Sequence, residues 1–200
     1  VKPSRVVLCR TNEWHEADAC MHLTLDEACR RLAAVGVATG VVDLPAQFGE
    51  MTRAHHVIEY FELARALQHE YLLHSELMSQ PLRNRIESGL ALDAAAYERA
   101  LALREQCQVC IAQLIAQTDL LLTPAAPGEA PLGLASTGKA TFNRVWTALG
   151  LPALSLPFGL GPVGLPLGIQ LVANRRRDAH LLAHGAWIER LFNSTYSNNF

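Results

Sequence analysis

The apolar positions of this 200-residue chain change period several times, and each change marks an element. The run Arg5–Arg10, RVVLCR, is short, β-branched and uninterrupted, the pattern of a buried strand. Thr24 to Glu27 has the spacing of a capping box and predicts a helix from there to Val35, closed by Gly36. VATGVVDLP follows as a second strand stopped by Pro45. Over residues 50–78, Val57, Phe61, Ala64, Leu67 and Tyr71 recur at steps of three and four, which predicts one long helix ended by Pro81. Asp93 reads as the N-cap of a helix reaching Gln117, with an inner stripe of Tyr97, Ala100, Leu103, Cys107, Cys110, Ile111 and Leu114.

Asp119–Thr123 is a third strand, ended by Pro124. From Pro124 to Gly138 the chain is rich in Pro and Gly and reads as a long loop, a length that commonly carries function. A helix near Ala140–Leu149 closes on Gly150, and PALSLPF and LPLGIQLVA form two strands joined by GLGPVG. Asp178 caps a last helix burying Leu181, Gly185, Ile188 and Leu191, and residues 193–200 read as a loose polar tail. Strands alternating with helices predict an α/β fold, a mixed sheet flanked by helices.

Composition narrows the function. Half of the residues are apolar and 18% are charged, which argues for a folded core rather than disorder. A net charge of −2 supplies no basic face for nucleic acid and no polybasic patch for a membrane, so neither is expected as a partner. No leader or spanning segment is visible, which makes the cytoplasm the expected compartment. Five cysteines at irregular spacing do not form a disulfide framework. Among the 17 basic residues only Lys2 and Lys139 are lysines.

Several short motifs fail on their mechanism. GLASTGKA over 133–140 nearly spells a phosphate-binding P-loop, but Ala140 stands where a magnesium-holding hydroxyl is needed, and Pro131 interrupts the strand that should precede it. Gly159, Gly161 and Gly164 fit the dinucleotide spacing, but a strand rather than a helix follows. Cys107 and Cys110 lie in mid-helix on the apolar stripe, where no helix N-terminus lowers a thiol pKa. His15, Cys20, His22 and Cys29 match no common zinc spacing, and His55, His56, His69 and His74 read as helix-surface histidines. Arg175–Arg177 reads as a solvated turn. No GxSxG elbow or HExxH occurs, and neither lysine sits in an apolar stretch that would make it a base. No cofactor, metal or self-contained catalytic set is therefore expected.

The C-terminal third carries a resemblance. DLLLTPAAPGEAP at Asp119–Pro131, FNRVWTALGLPALSLP at Phe142–Pro157, GLPLGIQLVA at Gly164–Ala173 and DAHLLAHGA at Asp178–Ala186 resemble, in order and spacing, the C-terminal half of the amidase signature family. Trp14, Ala17, Glu59–Ala64 and SQPLRNRIESG at Ser79–Gly89 extend the likeness more loosely over almost the whole chain, and Ala173 stands where Gly is usual. The resemblance implies part of a large mixed sheet, and amide hydrolysis by a Ser–cis-Ser–Lys triad. Those three residues and their Gly/Ser-rich signature lie upstream of the matched region in the family, so no catalytic residue is carried onto this sequence. It implies a C-terminal portion of an amidase, inactive alone. Phe142, Asn143, Trp146, Ile169 and Gln170 flank the matched motifs and are the expected pocket wall for a small-molecule amide. The alternative is a non-catalytic remnant that dimerises or binds a partner through an exposed apolar surface.

Overall fold

The computed structural model describes residues 1–134 and 136–196, with side chains to Asn193; of the expected loose tail at 193–200, residues 193–196 instead continue the last helix and 197–200 lie outside the described residues. Five strands form one sheet: β1 (Arg5–Arg10), β2 (Ala38–Asp43), β3 (Leu120–Pro124), β4 (Ala153–Leu160) and β5 (Pro166–Val172), in the order β2-β1-β3-β5-β4. β1 runs parallel to both β2 and β3, while β5 is antiparallel to β3 and β4. The expected mixed α/β sheet is therefore present.

Helices cover both faces. α1 (Ala19–Ala34) and α7 (Asp178–Tyr196) pack with Val6, Leu8, Leu120, Leu122, Ile169 and Leu171 on one face. α2 (Met51–Ala66), α5 (Ala94–Ile115) and α6 (Arg144–Leu149) pack on the other with Val7, Cys9, Leu121 and Val172. This double cover explains the unbroken apolar runs of β1 and β3, whose successive side chains enter opposite cores. The edge strand β4 alternates instead and carries a register shift between Pro157 and Leu160.

The helices depart from the sequence pattern at their ends. α1 begins five residues before Thr24, whose hydroxyl donates to Cys20 O in mid-helix, while Glu27 pairs with Arg30 and Arg31; the capping-box reading is thus incorrect. The helix expected over 50–78 is broken at Leu67 (φ −106°, ψ 15°) into α2 and α3 (Gln68–His74). The buried stripe stops at Ala64, and beyond it Leu72 and Leu73 face solvent, so packing no longer holds the axis straight. Pro81 opens a helix instead of ending one: it sits in the first turn of α4 (Gln80–Leu90), where a missing N–H costs nothing. α6 starts at Arg144 because residues 141–143 form a turn. Asp93 does cap α5, accepting the Ala96 N–H at 2.5 Å. Gly36 and Gly150 take positive φ (77° and 68°) at helix ends, as the sequence implies.

Candidate functional site

β1 and β3 are parallel and end on the same side of the sheet, where doubly covered sheets commonly place a cleft. The segment after β1 and the long loop after β3 meet there and enclose a cleft of about 630 Å³, lined among others by Glu16, Asp18, Glu129, Lys139, Ser155 and Gly168. The Asp18 N–H donates to Pro127 O at 2.8 Å and ties the two segments together. Lys139 Nζ donates to Glu16 Oε2 at 3.0 Å, and the Thr141 hydroxyl donates to the same oxygen at 3.4 Å. The Lys139 hydrogen bond is the main reason that the Glu16 carboxyl sits below its ordinary pKa.

The glycine-rich segment between β4 and β5 does hold an anion, and the anion belongs to the chain. Glu129 accepts the backbone N–H of Val163 at 3.2 Å and of Leu165 at 2.8 Å. A Cβ at Gly161 would collide with the Glu129 carboxylate, so this glycine is needed for the close approach. The dinucleotide spacing of Gly159, Gly161 and Gly164 is thus the signature of a hairpin that wraps its own carboxylate.

The five expected wall residues separate into two groups. Phe142 and Ile169 are fully buried in the core under α1 and α7, and Trp146 is buried in the opposite core. Asn143 and Gln170 are joined: Gln170 Nε2 donates to Asn143 Oδ1 at 2.5 Å, and Asn143 Nδ2 donates to Ala125 O at 3.4 Å. Ala125 itself lines the cleft. The Asn143–Gln170 pair therefore braces the cleft floor from below, and Ser155, level with Gln170 across the β4–β5 ladder, reaches the cleft directly. Thr11 Oγ1, Thr123 Oγ1, Trp146 Nε1 and Gln170 Oε1 are buried with no hydrogen-bond partner in the chain. Thr123 is level with Gln170 in the sheet, so two of these atoms share one end of it.

The remaining motifs take structural roles. Cys107 is buried on α5, and burial, aided by Cys110, pushes its thiol up to about 11, opposite to what a redox thiol needs. His22 stacks on Trp14 at 4.7 Å and lies 3.3 Å from Trp14 O, and His55 and His56 flank Glu59. Arg175–Arg177 form an exposed turn in which the Arg175 N–H donates to Asn174 Oδ1. Lys2 caps the end of α1 by donating to Val35 O at 2.6 Å. Glu16, Asp18, Ser155 and Glu129 were not legible as cleft residues, because no local pattern links residues 16–18 to a loop more than a hundred positions later.

No helix among the described residues is long and apolar enough to cross a membrane. Comparison with known proteins gives a consistent answer. The chain is 28% identical over a 204-residue alignment to the 2-amino-5-chloromuconic acid deaminase of Comamonas testosteroni, covering 96% of this chain and 44% of that protein. It is 31% identical over 110 residues to fatty-acid amide hydrolase 2 of Homo sapiens, covering 54% of this chain and 21% of that protein. A crystal structure of an amidase superposes with a TM-score of 0.84 at 25% identity, over 96% of this chain and 47% of that one. The chain thus spans less than half the length of these relatives. The sequence pattern of the Amidase family matches residues 1–182, and with a matching fold beneath that pattern, the chain belongs to the Amidase family.

Proposed function

We propose that this chain is the C-terminal portion of an amide hydrolase of the Ser–cis-Ser–Lys type, that it supplies one wall of the cleft for a small-molecule amide, and that it does not hydrolyse amides alone. The observation that carries the reading is the state of its lysines. A lysine acts as the base of such a triad only when it is desolvated and free to take a proton. The Lys139 side chain is 71% exposed and held by Glu16, and Lys2 is spent on a helix end. The nucleophile, its bridging serine and the base belong, on this reading, to a companion segment that docks over the cleft. In the assembled site the nucleophile's oxygen attacks the amide carbon, the lysine accepts the proton through the bridging serine, and the C–N bond breaks as the amine takes that proton; a water then attacks the resulting ester, giving up its proton by the same route and releasing the carboxylic acid as the nucleophile regains its own. The partnerless Thr123 and Gln170 oxygens lie at the sheet end that such a segment would cover.

Purified chain assayed with simple aliphatic and aryl amides is expected to show no turnover above buffer. Robust turnover that survives Lys139→Ala would overturn the proposal. A second reading, a non-catalytic homodimer, is favoured by one observation: Leu132 and Leu134 on the cleft loop are fully exposed. Light scattering coupled to gel filtration separates the two readings, since a monomer unaffected by Leu132→Ser and Leu134→Ser excludes the dimer.

A further inference from the structure

The helix that closes the chain carries two histidines one turn apart, His180 and His184, both facing the start of β3. Among the eight histidines of the chain these two gain an acid only through the fold, not through sequence spacing. That acid is Asp119. One nitrogen of each histidine and one Asp119 oxygen lie within 4.8 Å of one another, the sole such group of three among the described residues. His180 Nε2 is 4.0 Å from Asp119 Oδ1, and the two rings meet edge to face at 4.2 Å between centroids.

The surroundings orient each group as metal ligands are oriented. Asp119 Oδ2 accepts the backbone N–H of Ser4 at 2.6 Å and of Arg5 at 3.0 Å, which anchors the carboxylate and leaves Oδ1 turned to the histidines. His184 is 6% exposed, and its Nδ1 lies 2.9 Å from the Val1 carbonyl. A carbonyl only accepts, so Nδ1 is the donor and Nε2 is the nitrogen left to face a ligand. A ring nitrogen hydrogen-bonded to a backbone carbonyl is the usual second support of a metal-bound histidine.

We propose that Asp119, His180 and His184 form a binding site for a divalent cation of the zinc class. Two imidazoles and one carboxylate are a borderline-soft donor set suited to Zn²⁺, Co²⁺ or Ni²⁺ rather than Mg²⁺ or Ca²⁺. Ligand bonds of about 2.0–2.1 Å need the three donors to draw together by about 1 Å, within reach of side-chain torsions alone. A pocket of about 250 Å³, lined among others by Asp119, His180, Asn174 and Arg177, adjoins the three donors. Arg177 supplies positive charge beside a water or small anion bound there. The site is remote from the cleft, since it joins α7 to the beginning of β3 and β1 whereas the cleft lies past their far ends. Its effect is therefore to staple the last helix to the sheet.

The test uses Co²⁺ as probe on the purified chain with its cysteines kept reduced. Binding at this site gives visible d–d absorption without sulfur-to-cobalt charge-transfer bands, is competed by Zn²⁺, and raises the melting temperature. His180→Ala removes a partly exposed ligand and is expected to weaken Co²⁺ binding at least about tenfold with an unchanged metal-free melting temperature. His180→Gln serves in its place if the alanine variant does not fold. The proposal is overturned by equal Co²⁺ affinity in the variant, by thiolate charge-transfer bands, or by no binding at sub-millimolar Co²⁺.

Discussion

The Glu129 carboxylate accepts the backbone N–H of Leu165 at 2.8 Å, which fastens the loop after β3 to the mouth of the β4–β5 hairpin. With the two Val163 contacts it makes one side chain the clasp between the cleft loop and the sheet edge. Glu129→Ala is expected to cost about 1 kcal/mol, less than a buried charge-assisted bond would, because the site is solvent-exposed. Limited proteolysis should cut residues 159–165 faster in this variant, and Glu129→Gln, which keeps an acceptor, should fall between it and the parent.

Acid should weaken α1 through Glu27. Its hydrogen bonds to Arg30 and Arg31, all 2.7 Å, hold its carboxyl down at about 2 against an ordinary 4.5. A folded-state pKa below the unfolded one means that this contribution is complete above about pH 4.5 and disappears as pH falls toward 2. These are surface pairs, so the contribution is about 0.5–1 kcal/mol. Thermal melts of the parent and Glu27→Gln should differ by about 1–3 °C at pH 7 and converge by pH 2.

Packing of α4 on α2 depends on Gly89. A Cβ there would overlap the Tyr60 carbonyl and press on Ala64 Cβ at 2.8 Å, and a backbone carbonyl cannot move aside as a side chain can. Gly89→Ala is expected to destabilise by about 1–3 kcal/mol, read in a urea melt, despite its better helix propensity.

The thiols should fall into two classes. Burial, with Asp43 adding to it, pushes the Cys9 thiol up to about 12, and Cys9 is fully enclosed between β1 and the helices. Cys9 should therefore resist Ellman's reagent at pH 8 until denaturant is added, while the partly exposed Cys20 and Cys110 react first. Rapid native reaction of Cys9 would disprove its burial.

What the sequence made legible follows from locality. Strands delimited by Pro or Gly, such as Asp119–Thr123 before Pro124 and the pair around GLGPVG, announce themselves because pattern and stop signal lie within ten residues. The break at Leu67 and the helix beginning at Gln80 did not, since each depends on whether a neighbouring helix is there to pack against. The cleft was hidden for the same reason: Glu16 meets Lys139 only after the sheet has formed. Among the five expected wall residues, Asn143 and Gln170 brace the cleft floor while Phe142, Trp146 and Ile169 fill cores, and a motif-based choice could not separate polar brace from apolar filler.

The strand order also dictates a schedule for synthesis. β2, the first partner of β1, emerges soon after it, but β3, the partner on its other side, emerges more than a hundred residues later, after all of α2 to α5. Throughout that interval the nascent chain carries an open apolar strand, Val6 to Cys9, with unpaired backbone groups along one edge. The hairpin that completes the sheet is made last, from residues adjacent in sequence, and so closes quickly once it appears. The slow and exposed step of folding thus falls between the synthesis of β1 and that of β3, where shielding by a chaperone would have its greatest effect on yield.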